Sequence, residues 1–393
     1  MSSTPRIVRG IVRAKRPIAG VAVSNGETIV QTDAAGCFEL PVVPDKHSTI
    51  FICVLDGYEA EDAFFRRITD ISEGGSTIFH LRKTRKRIRG VFLHLTDLHL
   101  THAPARASSA RGAETIRARL RTLSDAERDA GLVIATGDLT NAGDEPSLRA
   151  WRRLADSTRF RLVSMFGGHD GNWECRHGGP DVRPPWTRNF EGLVAPLYYS
   201  FEWRGCHFTQ YPSEDFHLGP ARCALRDRWF ERDLALARKR RLPLILLMHA
   251  PPKAAFVRRM KAKGVIAVFC GHWHSAKAYF VGGVPVYATP PPFFGGIDSR
   301  AAGYRRVTVT PGRITVRLKT LQCPPLLASP PKGASVLWTR RIPGGLHRAG
   351  LVLADGRLLV SLSDEDLSRA AGVLALDPVT GRTLWRVRTD SSV

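Results

Sequence analysis

The hydrophobic pattern in the middle of the chain predicts a sheet of buried parallel strands. Five apolar runs, each of a length suited to one strand, are separated by stretches with the periodicity of helices. The runs cover residues 91–96, 132–136, 161–166, 242–248 and 265–269. Two spacers predict amphipathic helices, one over residues 111–130 that ends before Gly131 and one around residues 148–155 that begins after Asp144. This alternation is typical of the α/β fold class.

The first 82 residues have a different pattern, which predicts an all-β domain. Short alternating runs between residues 7 and 81 are separated by turn residues at regular intervals. Asn25-Gly26 lies between two of these runs and is a strong hairpin signal. We expect a small β-sandwich over residues 1–82 that serves as a spacer or a docking module, since no pattern of catalytic residues occurs in it.

The tail beyond Cys323 predicts a third, short β segment over residues 333–393. A proline-rich stretch at residues 324–331 is typical of a linker. Residues 355–360 and 373–385 then resemble one blade of a PQQ-type β-propeller. Propellers need about four blades or more, and a lone blade leaves unpaired strand edges. We therefore expect a partial blade, without PQQ-dependent redox chemistry. Either it packs elsewhere or pairs between chains, or the chain is cut short relative to its relatives.

Each of the five central runs is followed closely by an Asp or a His. Asp97 and His99 follow the first run, and side chains two residues apart on an extended chain point to the same side. The later runs are followed by the other candidates, Asp138, His169, Asp170, His249, His272 and His274. Because open α/β sheets bind ligands at the carboxyl ends of their strands, we expect these side chains to converge.

The residue types in this set favour a metal centre. Carboxylates and neutral imidazoles together suit first-row divalent ions such as Mn, Fe, Zn or Co. Six such ligands exceed what a four-coordinate structural zinc site needs. They fit a centre of two divalent transition-metal ions with one bridging carboxylate, which clamps both oxygens of an in-line displacement at phosphorus.

The order of these motifs resembles the signature of the calcineurin-like metallophosphoesterases. The matching motifs are Asp97-Leu98-His99, Gly137-Asp138, Gly167-Gly168-His169-Asp170, His249 and Gly271-His272-Trp273-His274. The resemblance implies a catalytic domain over residues 88–322, built as a two-sheet α-β-β-α sandwich. It also implies a metal-dependent hydrolase that cleaves phosphomonoester or phosphodiester bonds through a metal-activated hydroxide. Residues 17–38 resemble the carboxypeptidase-regulatory-like, or transthyretin-like, sandwich that precedes some of these domains.

The same resemblance implies a role for each residue of the signature. One ion would be held by Asp97, His99, Asp138 and His274. The other would be held by Asp138 as the bridge, His249 and His272. His169 would protonate the leaving oxygen or stabilise the transition state, and Asp170 would orient His169 by fixing its tautomer.

One position departs from the family pattern. The family usually has an Asn, whose carbonyl is a ligand of the second ion, where this chain has Gly168. Glycine has no side chain to offer. Water, substrate or the nearby Asn172 would have to fill the gap, or else the second site is weak. The departure bears on the number of ions and leaves the prediction of metal binding in place.

The charge of the chain favours an anionic partner. The formal net charge is +22, with 58 Lys and Arg residues spread along the whole length. Such a surface attracts phosphorylated substrates, nucleic acid or anionic lipid. No aromatic-interleaved motif for nucleic-acid binding occurs, so we expect a phosphorylated small-molecule or polymer substrate ahead of nucleic acid. The densest basic run, residues 82–89, has the composition of a solvated linker.

Other features of composition bear on the compartment. No run of 18 apolar residues occurs, so we expect no membrane span. The N-terminus lacks an apolar signal region, and the seven cysteines are odd in number and scattered. These features favour the cytoplasm, or secretion if the true start lies upstream. The sequence does not indicate an oligomeric state.

A non-catalytic protein is the alternative to the enzyme. It would keep a metal ion but act as a scaffold or an anion-binding module, and the Gly168 departure is the feature that motivates it. A nuclease is a third possibility. Metal content measured together with ester hydrolysis separates the first two hypotheses.

Overall fold

The structure is a computed structural model that describes most of the chain. The described residues are 4–84, 90–102, 112–172, 185–293, 296, 301–310, 313–321, 333–340, 342 and 344–389. The predicted linker at residues 324–331 lies outside these ranges, as does most of the basic run at residues 82–89. No helix within the described ranges is both long and apolar enough to cross a bilayer.

The N-terminal residues form the predicted β-sandwich. The strands are β1 (Arg6–Arg13), β2 (Ala22–Ser24), β3 (Ile29–Gln31), β4 (Cys37–Val42), β5 (Thr49–Ile52), β6 (Tyr58–Ala60), β7 (Phe65–Arg67) and β8 (Ser76–Lys83). One sheet has the order β4-β1-β8-β6 and the other β3-β2-β5-β7. Asn25-Gly26 turns the chain between β2 and β3, as its hairpin signal predicts, with Gly26 at a φ of 88°.

Two sheets pack face to face in the middle of the chain, which confirms the predicted α/β class. Their strands are β9 (Gly90–Leu95), β10 (Ala130–Ala135), β11 (Arg161–Ser164), β12 (Ser200–Trp203), β13 (Cys206–Gln210), β14 (Leu244–Leu247), β15 (Val265–Cys270), β16 (Lys277–Val281), β17 (Val284–Ala288), β18 (Gly303–Thr310) and β19 (Arg313–Thr320). The first sheet has the order β11-β10-β9-β18-β19 and the second β12-β13-β14-β15-β17-β16. In each sheet, the strands that precede the candidate residues run parallel to a neighbour.

Within the described residues, five α-helices connect or cover these strands. They are α1 (Ala113–Ala126), α2 (Glu145–Ser157), α3 (Pro185–Leu193), α4 (Asp215–Lys239) and α5 (Ala254–Ala262). Asp144 caps α2 as predicted, because its side chain accepts from the amide of Ser147 at 2.9 Å. The prediction for α1 is wrong at its C-terminus, since Gly131 lies within β10. The reason is a tertiary contact: Glu127, directly after α1, accepts hydrogen bonds from Tyr304 and Arg306 of β18.

The tail forms a four-stranded antiparallel sheet that packs on the central domain. Its strands are β20 (Gly345–Ala354), β21 (Arg357–Ser363), β22 (Gly372–Leu376) and β23 (Thr383–Arg388), in sequential order. The buried Arg305 guanidinium pairs with Asp366 at 2.9 Å and donates to the carbonyl of Glu365 at 2.7 Å. Of the outcomes left open for a partial blade, packing against the rest of the chain is the one the structure shows. The PQQ-type likeness itself stays a prediction.

Candidate metal centre

Four loops at the carboxyl ends of central strands bring the six predicted ligands together. Asp97 and His99 follow β9, Asp138 follows β10, His249 follows β14, and His272 and His274 follow β15. The first two loops are joined through their backbones. The amide of Asp97 donates to the carbonyl of Gly137 at 3.1 Å, and that of His99 donates to the carbonyl of Asp138 at 2.9 Å. All six side chains therefore meet at the carboxyl ends of these strands, and their role as metal ligands stays a prediction.

The backbone at these positions is left-handed, which the sequence argument did not foresee. Five of the six residues have positive φ, namely Asp97 (53°), His99 (49°), Asp138 (51°), His272 (66°) and His274 (50°). This region is uncommon for residues other than glycine, although Asp and His enter it more readily than most. Asp97 and His99 thus do not converge as neighbours on one face of an extended chain. They converge because β9 has ended at Leu95 and the chain turns.

Two glycines allow the loops to approach each other. Gly137 has a φ of 92°, and a Cβ atom there would lie 2.8 Å from Nδ1 of His249. At Gly271, a Cβ atom would overlap the Thr96 hydroxyl and lie 2.6 Å from Oδ2 of Asp97. The glycines that precede Asp138 and His272 are therefore required by the close packing of the site.

The first group of ligand atoms comprises Asp97, His99, Asp138 and His274, and one atom from each lies within 4.8 Å of all the others. Nε2 of His274 lies 3.2 Å from Oδ1 of Asp97, and Nε2 of His99 lies 3.7 Å from Oδ2 of Asp138. The two Nε2 atoms of His99 and His274 are 3.0 Å apart. Three of the four residues are buried, so the group is shielded from water.

The second group comprises Asp138, His249 and His272, within the same distance limit. Nε2 of His249 lies 3.1 Å from Oδ2 of Asp138. Asp138 belongs to both groups, as expected for a bridging carboxylate. His272 is exposed, whereas Asp138 and His249 are buried.

The tautomer of His249 shows that this donor set fits a cation. Nδ1 of His249 must donate to the carbonyl of Thr136, 2.8 Å away, because a carbonyl only accepts. The second nitrogen, Nε2, is buried and faces Oδ2 of Asp138 at 3.1 Å, so without its proton it presents a lone pair beside a carboxylate oxygen. A carbonyl that fixes the distal nitrogen in this way is typical of metal-binding histidines.

The pKa values of the candidate ligands bear on how the site would bind a cation. Burial opposes ionisation of Asp138, but the neighbouring histidines, His249 first, hold the pKa of this carboxyl well below its usual range. Burial lowers the pKa of His99 to about 4, against the pull of Asp138 and Asp97, so this imidazole is neutral near pH 7. For His249, burial acts to lower the pKa, but the charge of Asp138, the hydrogen bond to it and the charges of Asp97 and Glu214 together raise it. A cation can replace the proton that His249 holds here.

His169 lies beside the centre in a fixed orientation. Its ring is 4.6 Å from that of His99, and its amide donates to Oδ1 of Asp138 at 2.9 Å. Nδ1 donates to the carbonyl of Asn141 at 2.8 Å, which fixes the orientation of the ring. The sequence did not identify Asn141, since nothing in a turn residue predicts that its carbonyl will accept from a histidine 28 positions away.

Asp170 organises the loops instead of forming the expected hydrogen bond to His169. Its Oδ1 accepts from the amide and the hydroxyl of Thr140, and its Oδ2 accepts from the amides of Leu139 and Gly167. The Asn141 carbonyl fills the role at Nδ1 of His169 that was expected of Asp170. Burial, followed by the charge of Asp138, raises the pKa of Asp170 to about 7. Asp170 thus ties the loop after β10 to the loop after β11.

Glu214, at the start of α4, is a further residue that the sequence did not identify. Its Oε1 accepts from the amide of Ala250 at 3.2 Å, directly after His249. Burial raises the pKa of this carboxyl. Only the fold brings α4 to this loop, because the two positions have no shared motif.

Comparison with protein families matches two descriptions to the chain. Residues 90–276 match the calcineurin-like phosphoesterase domain, and residues 6–84 match the N terminal of calcineurin-like phosphoesterase. No curated protein matches the chain at a significant level.

Solved structures similar to the chain include a purple acid phosphatase, a membrane-complex anchor and an NAD nucleotidase. Purple acid phosphatase PPD1 from yellow lupin seeds has 14% identity and a TM-score of 0.42, covering 81% of this chain and 67% of its own. GAP50, the anchor in the inner membrane complex of Plasmodium, has 13% identity and a TM-score of 0.39, and the match covers 60% of this chain and 85% of GAP50. NAD nucleotidase from Haemophilus influenzae has 13% identity and a TM-score of 0.36, and the match covers 59% of this chain and 56% of the nucleotidase.

Proposed function

The chain belongs to the calcineurin-like phosphoesterases, and from that premise we propose that its metal centre hydrolyses phosphate esters of small molecules. The observation that carries this proposal is the pair of ligand groups that share Asp138. Two ligand groups that share one carboxylate suit a centre of two ions. They contain more ligands than a four-coordinate structural zinc site needs.

The residues divide between holding ions and moving a proton. In the proposal, Asp97, His99, Asp138 and His274 hold one ion, and Asp138, His249 and His272 hold the other. Bound ions of this type supply a water nucleophile of lowered pKa and neutralise charge on the phosphoryl oxygens. The mixed carboxylate and imidazole donors favour Mn, Fe, Zn or Co over Mg or Ca.

His169 is the proposed proton donor to the leaving oxygen. The hydrogen bond from Nδ1 to the Asn141 carbonyl restricts rotation of the ring, so Nε2 is the atom that exchanges the proton. The amide of His169 is bound to Asp138, so this histidine moves with the bridging carboxylate. The proposed proton donor is therefore joined directly to the proposed bridging ligand.

The substrate class follows from the site and the charge of the chain. The basic composition favours a dianionic phosphomonoester or a phosphodiester over a neutral ester. A second candidate, the non-catalytic scaffold, rests on Gly168, and the experiment below separates it from the enzyme.

The test is hydrolysis of an aryl phosphate and a bis-aryl phosphate by protein loaded separately with Mn²⁺, Fe²⁺, Zn²⁺ or Co²⁺. We expect saturable turnover with at least one ion and none after chelation. A His169→Ala variant should lose about 10²-fold or more in kcat with unchanged metal content, because it removes proton transfer alone. An Asp138→Asn variant should lose metal as well as activity.

Two results would count against this function. Protein that binds two ions and hydrolyses neither ester with any of them supports the scaffold. A His169→Ala variant with wild-type kcat removes the proposed proton donor. The matched control is His80→Ala, an exposed histidine on β8 that should change neither metal content nor turnover.

A further inference from the structure

The side-chain position that Gly168 leaves open is filled by another residue. A Cβ atom built on Gly168 would lie 2.9 Å from Nε2 of His217, and its three nearest neighbours are all atoms of that imidazole ring. His217 lies in the first turn of α4, far along the chain from this loop. Its Nε2 therefore occupies the space into which a longer side chain at residue 168 would extend.

The position of His217 is built by several contacts. Its ring stacks on the indole of Trp186, with centroids 4.8 Å apart and planes 14° apart. Gly171 makes room for this indole, since a Cβ atom there would overlap the Trp186 ring. Two glycines of one loop, Gly168 and Gly171, thus accommodate the stacked pair of His217 and Trp186.

The backbone of α4 also directs His217 toward the loop. The helix is interrupted at Gly219, where φ is 73° and ψ is 163°, and Pro220 follows. The short first turn can therefore take a direction of its own, independent of the long helix behind it. Nδ1 of His217 is buried and has no hydrogen-bond partner among the described residues, which leaves the ring held by stacking.

Gly168 connects the position of His217 to the bridging carboxylate. It directly precedes His169, whose amide donates to Oδ1 of Asp138 at 2.9 Å. The His217 ring that lies against Gly168 is therefore next to the loop that contacts Asp138, and an imidazole is a good ligand for a divalent transition metal.

We infer that Nε2 of His217 is the ligand of the second ion that replaces the side chain absent at Gly168. This inference rests on the proposed metal centre. It gives the second ion three histidines, His217, His249 and His272, together with the bridging Asp138. It also explains the glycine, because an asparagine side chain at residue 168 would collide with His217. Of the replacements open to the sequence, Asn172 contributes none of the three atoms nearest to this Cβ position.

The test measures metal binding and needs no substrate. Metal-free wild type, His217→Ala, Gly168→Asn and the Gly168→Asn, His217→Ala double variant are titrated with Mn²⁺, and bound metal is confirmed by elemental analysis. We expect two ions per chain in the wild type. In His217→Ala, the weaker site should lose at least about 10-fold in affinity, while the other site is unchanged.

The double variant is the decisive arm. Removing the imidazole makes room for the asparagine side chain introduced at residue 168, so the double variant should recover binding of the second ion to within a few-fold of wild type. Gly168→Asn alone should bind the second ion more weakly than the double variant, because its new side chain meets His217. The control His80→Ala should titrate like the wild type.

Three outcomes would overturn the inference. The first is His217→Ala with wild-type affinity at both sites. The second is a double variant that binds the second ion no better than His217→Ala, since that loss would then come from a disturbed loop and not from a missing ligand. The third is a Gly168→Asn variant that binds the second ion as well as the double variant does.

Failure of the proposed function gives a different result. If both ions bind as expected but no ester is hydrolysed, the enzymatic proposal fails while His217 remains a ligand. If hydrolysis proceeds and His217→Ala keeps both ions, only this inference fails.

Discussion

At the scale of single residues, the site consists of reactive side chains on strained backbone. Positive φ costs a residue other than glycine about 1 kcal/mol or more, and five of the six proposed ligands adopt it. Hydrogen bonds between loops, such as that from His99 to the Asp138 carbonyl, hold the strained turns in place. The identities of the six residues were readable from the sequence because each follows an apolar run. Asn141 and His217 were not, because their contacts depend on loop geometry.

Asp170 carries the prediction at this scale. In Asp170→Asn, one of the two oxygens becomes an NH₂ group that faces N–H donors, whichever way the amide turns. We expect a loss of about 1–3 kcal/mol in the free energy of unfolding, measured by urea denaturation at about pH 8, above the pKa of this carboxyl.

Asp156→Asn is the matched control, since Asp156 is an exposed partner of Arg152 on α2. Its effect should stay within about 0.5 kcal/mol. Equal stability of the Asp170→Asn variant and the wild type would show that Asp170 does not hold the two loops together.

At the scale of elements, the positions of the strands were predicted well from the sequence, but the contacts of the polar residues within them were not. Apolar runs locate β9, β10, β14 and β15 to within about two residues, since burial on both faces demands such runs. His94 interrupts the run of β9. Its ring lies between the hydroxyls of Thr289, 2.6 Å away, and Thr136, 2.8 Å away, and so links the two sheets. Thr289 is 195 positions away, beyond the reach of any local pattern.

His94 predicts a pH dependence of stability. Burial, together with the charge of Arg305, lowers its pKa from 6.5 to about 3. Between those two pH values, His94 binds a proton in the unfolded chain but not in the folded protein, so stability falls as the pH falls. Each pH unit costs about 1.4 kcal/mol in this window.

Comparison with His94→Asn isolates this effect. Between about pH 6.5 and about pH 4.5, urea denaturation should show the wild type losing about 2–3 kcal/mol more than the variant. The other histidines titrate in both proteins and cancel. Parallel pH profiles for the two proteins would contradict a neutral, buried His94.

At the scale of the whole molecule, two β domains pack against a central one. The division of the chain into three parts followed from changes in its hydrophobic pattern, but the contacts between the parts did not. Arg222 joins Glu191 of α3 to Ser48 of the sandwich, and Phe51 packs edge-on against Trp229 of α4. The contacts with the sandwich join residues far apart in the chain, and they depend on how the folded domains pack against each other.

The docking of the tail gives the prediction at this scale. Arg305→Leu removes the hydrogen bonds to Asp366 and Glu365 that hold the tail against β18. We expect amide hydrogen exchange in β21 and β22 to accelerate about 10-fold or more, because this sheet has a small apolar core of its own. Arg313→Leu, at an exposed position on β19, is the control and should leave exchange unchanged.

Exchange in β21 and β22 that does not change in Arg305→Leu would mean that the tail is held by other contacts. In either case, metal binding should persist, because none of the proposed ligands comes from the tail.

The central claim is that two cations bind on either side of Asp138, and anomalous X-ray scattering from crystals soaked with Mn²⁺ tests it most directly. We predict two anomalous peaks about 3.5–4 Å apart. One should lie among Asp97, His99 and His274, and the other beside His249 and His272. Mn²⁺ peaks elsewhere on the protein, with none beside Asp138, would contradict the account.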